Sequence, residues 1–177
     1  MRINFLGGPG SSKSTTAAWL FSELKTKDKS VELVTEYVKS WATQKRVINA
    51  FDQVYLFGKQ MQYEYRFLNH GIKNIITDSP LILSCVYADY YYKELGIGRN
   101  LLGILDSYDK HFDSVNIYLN RKDKKYHEIG RYQNYEAALE IDGIIKDFLE
   151  LEFPDTFYVD YDDRAAILDF VLKNLDN

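Results

Sequence analysis

Nine residues near the N-terminus, Gly7-Gly8-Pro9-Gly10-Ser11-Ser12-Lys13-Ser14-Thr15, follow a short apolar run and precede a helical one. A glycine, four residues and then Gly-Lys-Ser/Thr, set between strand and helix, is the pattern of a loop that cradles phosphates. Glycines let successive amides point into one concavity, and the helix N-terminus behind them adds positive potential. Gly7 opens the pattern, Lys13 brings a point charge to the β/γ-phosphates, and Ser14 offers a hydroxyl to Mg²⁺. Gly8, Gly10, Ser11, Ser12 and Thr15 complete the expected phosphate-binding set. Ser12 stands where the second glycine belongs, and its Cβ has to fit where the backbone passes close to the phosphates. The competing reading is a Gly/Ser-rich turn that caps a helix and holds nothing, but such a turn does not need a lysine at this spacing.

Acids close two other apolar runs, Val31-Glu-Leu-Val-Thr-Glu36 and Asn74-Ile-Ile-Thr-Asp78. A carboxylate there suits Mg²⁺ or its waters across from Ser14, and it equally suits a base that orients an acceptor hydroxyl. Which of Glu36 and Asp78 takes which part stays open. A helix cap rivals the functional role of Asp78, which precedes Ser79-Pro80, whereas Glu36 is a poor capping type. The basic stretch from Asn120 to Gln133 lacks apolar periodicity, and Arg121 and Arg131 within it are expected to neutralise charge on a transferring phosphoryl group. Its lysines, Lys122, Lys124 and Lys125, read more simply as solvated side chains. On the acceptor side, residues 50–69 carry Gln53, Gln60, Gln62 and Arg66, and a glutamine can pair with the edge of a base or amide. Gln60 and Arg66 are the substrate-binding expectation, with ordinary surface polarity the simpler reading of any one of them. Trp41 is the aromatic expected beside an acceptor ring. The tyrosines of Tyr87–Tyr92 read as helix packing, and Cys85, His70, His111 and His127 as structural or solvated residues.

These groups need a scaffold that brings distant segments to one edge. Short β-rich runs at 3–6, 31–35, 75–77, 115–119 and 156–159 alternate with helical stretches. Several are nearly continuous in Val, Ile, Leu, Phe or Tyr, as strands covered on both faces are. Residues 50–69 place Phe51, Val54, Met61, Tyr65 and Leu68 on one side, and 135–151 place Ala138, Ile141, Ile145 and Phe148 on one stripe. Asp162 or Asp163 is positioned to cap a last helix. Strand–helix alternation implies an α/β fold with a parallel sheet and right-handed crossovers. The 177 residues fit one domain, with residues 121–134 as its lid. One cysteine excludes an intrachain disulfide framework, and with three scattered histidines it argues against zinc. The charge, 22 basic against 26 acidic residues for a net −4, disfavours a broad nucleic-acid face. No long apolar run suggests a membrane span, so a cytoplasmic protein is the expectation. A homo-oligomer is left open.

Glu36-Tyr-Val-Lys-Ser-Trp41 resembles the Glu-Pro-Val-x-x-Trp segment of deoxynucleoside kinases, where the glutamate faces the acceptor hydroxyl. Thr77-Asp-Ser-Pro80 takes the place of their Glu/Asp-Arg-Ser segment, with Ser79 in place of the arginine. Together with the Gly-Gly-Pro-Gly loop, the helix carrying Gln60 and the Gly130-Arg-Tyr-Gln133 segment, nearly the whole chain resembles the small P-loop kinase-like ATPases of phages. Those are related to the nicotinamide riboside kinase domain of NAD-synthesis regulators. The resemblance implies a P-loop NTPase three-layer α/β/α sandwich with a five-stranded parallel sheet in the order 2-3-1-4-5. It also implies an ATP- and Mg²⁺-dependent kinase acting on a nucleoside, nucleotide or nicotinamide-riboside-like acceptor, with a lid carrying arginines. The absence of a guanine-selecting Asn-Lys-x-Asp (Asn120-Arg-Lys-Asp123 is a near miss) favours ATP. Two other readings remain: a nucleotide-binding regulator or slow ATPase without a small acceptor, and a kinase for a modified base or polynucleotide end.

Overall fold

A computed structural model describes residues 1–122, 126–127 and 131–175. The first half of the chain runs β1 (Arg2–Leu6), α1 (Lys13–Thr26), β2 (Val31–Val34), α2 (Lys39–Thr43), α3 (Asp52–Leu68), β3 (Asn74–Thr77) and α4 (Leu81–Tyr92). A short 3-10 turn follows, then α5 (Ile97–Asp109), β4 (Ser114–Asn120), α6 (Tyr135–Glu152), β5 (Phe157–Asp160) and α7 (Arg164–Leu175). The five strands form one parallel sheet in the order β2-β3-β1-β4-β5, as the sequence led us to expect.

Alternation along the strands explains the layers. Ile3 and Phe5 of β1, with Ile117 and Leu119 of β4, pack under α1 and α7 beside Leu20, Leu24, Ile167 and Val171. Leu6 and Tyr118 face the other way, onto a core built by α4, α5 and α6 with Phe57 of α3. Helix ends follow local chemistry. The Asn134 side chain accepts from the amide of Ala137 at 2.9 Å, and Asp163 accepts from that of Ala166 at 3.1 Å.

α3 departs from its expected face. Phe51, Val54 and Tyr65 are exposed, and the buried side carries Gln53, Leu56, Phe57, Gln60 and Glu64. Both sets have helical spacing. The second wins because its polar members face the cleft floor and the buried Arg2 rather than hydrocarbon. Among the described residues no helix is long and apolar enough to cross a membrane.

Candidate active site

In a parallel sheet every strand ends at the same edge, so β1, β2, β3 and β4 deliver the loop after Leu6, Glu36, Asp78 and Arg121 to one place. There a cleft of about 1460 Å³ runs from the loop past Glu36 and Asp78 to Gln53, Tyr87 and Tyr92.

The loop's backbone takes left-handed conformations at several positions. Gly7 has φ 138° and Gly10 φ 80°, and a Cβ on Gly7 would lie 2.6 Å from Ser11 Oγ. Ser12 also sits in the left-handed region, at φ 72°, the conformation that the missing glycine would have taken without strain. Lys13 folds over the loop, donating to the carbonyls of Gly7 at 2.7 Å and Gly8 at 2.9 Å. Burial holds its amine below the ordinary range, and the carboxylates of Glu36, Asp78 and Asp142 pull it back up. Burial raises Glu36 above the usual carboxylate range, and the charge of Lys13 opposes that rise.

Asp78 is buried, and among the described residues its Oδ1 has no hydrogen-bond partner. It is not a helix cap. Pro80 precedes α4 with no side-chain cap bond, and the Ser79 amide turns to Thr77 Oγ1 at 3.2 Å. An unpartnered buried carboxylate oxygen in the cleft that Ser14 also lines fits Mg²⁺, which takes one or two protein oxygens and completes its shell with phosphate and water. Among the described residues no three acids, histidines or cysteines cluster, and such a site requires none.

The expected acceptor residues divide. Gln60 is buried rather than superficial: its Oε1 accepts from the amide of Tyr37 at 3.3 Å and its Nε2 donates to Thr77 Oγ1 at 3.3 Å. Gln53, two helical turns before it, is 5% exposed and lines the cleft. Trp41 does not face the cleft. It is buried against Tyr55, ring centroids 5.9 Å apart, with the Arg46 guanidinium 3.4 Å over its ring. Arg66 is exposed and lies over Tyr63 and Phe67, outside the cleft, because it falls on the opposite side of α3 from Gln60. The tyrosines of α4 do more than pack: Tyr87, Tyr91 and Tyr92 line the cleft, and Tyr92 donates to the carbonyl of Ile48 at 2.8 Å. Cys85 is buried, its thiol pushed up to about 12 by desolvation. His70 and His111 bond to backbone carbonyls in the last turns of α3 and α5, which precede them, and His127 lines the cleft.

In the basic stretch, Lys124, Lys125 and Gly130 lie outside the described residues. Lys122 is not simply solvated, since it pairs with Asp162 at 2.7 Å and Asp160 at 3.2 Å. Arg131 is exposed above the Tyr126 ring, 4.9 Å from its centroid, and lines the cleft. Tyr132 donates to the carbonyl of Arg46, between α2 and α3, at 2.7 Å, and Gln133 donates to Tyr91 Oη of α4 at 2.7 Å. Arg121 is held by a residue that the sequence reading passed over, Asp142 of α6. The signal was available: Asp142 interrupts the apolar stripe Ala138, Ile141, Ile145.

Residues 2–155 match the profile of a family described as an AAA domain. The chain belongs to that AAA-domain family. No curated protein sequence matches this AAA-domain chain. It is similar to a solved structure of deoxyadenosine kinase from M. mycoides with bound dATP, at TM-score 0.63 and 18% identity over 100% of both chains. A second structure of that kinase, with the products dCMP and a flexible dCDP, matches at TM-score 0.63 and 17% identity over 99% of each chain. At such identities the likeness is one of fold, and the AAA-domain chain has the P-loop nucleoside-kinase-like fold.

Proposed function

We propose that the protein is a P-loop kinase that transfers the γ-phosphoryl group of ATP, with Mg²⁺, to a hydroxyl or phosphate of a nucleoside, nucleotide or nicotinamide-riboside-like acceptor. The observation that carries this reading is one continuous cleft, with a phosphate loop at one end, an amide- and tyrosine-lined chamber at the other, and Glu36 and Asp78 between. Simple hydrolysis of ATP needs no second chamber. The fold shared with a nucleoside kinase supports the same reading. So does the dATP bound to that kinase, as a guide to the class of donor and acceptor.

The chain would act as one domain, with residues 121–134 as its lid. The amides from Gly10 to Thr15 cradle the phosphates, and Lys13 exchanges its loop carbonyls for phosphate oxygens. Ser14 and Asp78 hold the metal, which supplies charge neutralisation on the phosphates when bound. Glu36 accepts the proton of the acceptor hydroxyl. Its raised pKa suits that role, because a base poised nearer neutrality loses less of its driving force than an ordinary carboxylate. Arg121 and Arg131 steady the charge that develops in transfer. Gln53 offers the acceptor a donor and an acceptor side by side, and Gln60 braces the loop that carries Glu36.

ADP release by the purified protein, measured with Mg-ATP alone and with a panel of nucleosides, nucleotides and nicotinamide riboside, tests this. Stimulation by one class of acceptor, with its phosphorylated form as product, is the expected outcome. Hydrolysis that no acceptor stimulates would overturn the reading in favour of a slow ATPase.

A further inference from the structure

The buried carboxylate on α6 has no role in the chemistry above, yet it sits at the centre of the loop's hydrogen bonding. Asp142 is 9% exposed. Its Oδ1 accepts from the amide of Gly8 at 2.6 Å, and its Oδ2 accepts from Nε of Arg121 at 2.6 Å. Nη2 of Arg121 donates to the carbonyl of Pro9, also at 2.6 Å. One acid from a distant helix thus ties the loop's second residue to the first arginine of the lid segment. The fit is tight: a Cβ on Gly8 would lie 2.5 Å from Asp142 Oδ1, so glycine at position 8 is required by this contact rather than by its φ.

The third nitrogen of the guanidinium is the informative one. Nη1 lies 3.3 Å from the point that a Cβ on Gly10 would occupy, and among the described residues it has no hydrogen-bond partner. A long, rotamer-rich side chain normally loses about 1.5–2 kcal/mol of freedom when it is fixed on a ligand. Here two of its nitrogens are already fixed, so that loss is incurred in folding and the remaining donor is pre-aimed across the loop. The pairing also matters for charge. An unpaired carboxylate this close to the loop would repel a phosphate, and Arg121 cancels it.

We propose that Asp142 is a positioning residue that pins the first turn of the loop and aims Arg121 at the outermost phosphate of a bound triphosphate. This rests on the triphosphate-binding reading above. A guanidinium aimed at the last phosphate distinguishes a triphosphate from a diphosphate, whereas a purely structural tie between α6 and the loop would affect both ligands alike.

The test is calorimetric binding of Mg-ATP and Mg-ADP to the full chain and to Asp142→Asn, Arg121→Lys and the double variant, with Tm measured for each. Asn keeps the acceptor for Gly8 but not the charge that holds Nε, and Lys cannot span Asp142 and Pro9 together. The preference for ATP over ADP should fall about tenfold in each single variant and no further in the double, since both act through one charge-assisted contact. An unchanged preference in Asp142→Asn, or losses that multiply in the double variant, overturns the inference. If Asp142→Asn does not fold, Asp142→Ser takes its place with the same two outcomes, because a lost preference in Arg121→Lys alone does not implicate Asp142. A wild-type protein that takes up no purine triphosphate would instead overturn the parent reading, and this one with it.

Discussion

Ser12 shows how a single position records a compromise. An L-residue at φ 72° carries strain of about 1–2 kcal/mol that glycine would not, yet the loop keeps the left-handed turn that lets its amides converge. Ser12→Gly should therefore raise stability by about 0.5–1 kcal/mol in urea unfolding, the relief of strain being partly offset by the greater freedom of the unfolded chain. Turnover should hold or rise. A fall in both would mean that the serine side chain is needed, which would alter the reading of the loop. Lys13 makes the complementary point. Its bonds to the Gly7 and Gly8 carbonyls keep a desolvated ammonium satisfied.

At the scale of elements, α3 carries two glutamines seven residues apart with different work. Gln60 is consumed in joining three segments, the Tyr37 amide after β2, the Thr77 hydroxyl at the end of β3 and its own helix. Gln53 lines the chamber. Gln60→Leu leaves the Tyr37 amide without its acceptor and should cost about 1–3 kcal/mol of stability. Gln53→Leu should leave Tm within a few degrees but raise the acceptor KM about tenfold, with the KM for ATP unchanged. If instead Gln53→Leu unfolds the protein and Gln60→Leu changes only KM, the two assignments are reversed.

For the molecule as a whole, the edge of the sheet away from the cleft holds an ionic cluster that links pH to stability. Arg2 of β1 is 1% exposed, 3.7 Å from Glu64 of α3, paired with Asp109 of α5 and 4.7 Å from the centroid of the Tyr108 ring. Among the described residues neither oxygen of Glu64 has a hydrogen-bond partner, and burial pushes its pKa up to about 7 against the attraction of Arg2. Because the folded pKa lies above the unfolded one, the native state binds more protons than the unfolded state between roughly pH 4.5 and 7. Stability contributed by the protonated form is complete below that window and is lost as pH rises through it, by on the order of 3 kcal/mol. Tm should accordingly decline from pH 5 to pH 8, and Glu64→Gln should flatten that part of the profile. A wild-type decline that persists unaltered in Glu64→Gln would place the titrating group elsewhere.

Local pattern alone determined the strand–helix alternation, the place of the glycine-rich loop between β1 and α1 and the acids that follow β2 and β3, because each depends on residue types at short, regular spacing. The order of the sheet also came with the resemblance those motifs carry. Only the folded chain decided which face of α3 is buried, since two helical stripes compete and the choice depends on Arg2 and Thr77, which lie far away in sequence. It also turned Trp41 and Arg66 away from the cleft and removed the cap alternative for Asp78. The link from Asp142 to Gly8 spans 134 positions, and no periodicity encodes a bond between a helix and a loop that meet only when the sheet closes. Spacing specifies what a segment can become, whereas the partner of a buried charge is settled by packing, where leaving it unpaired costs most.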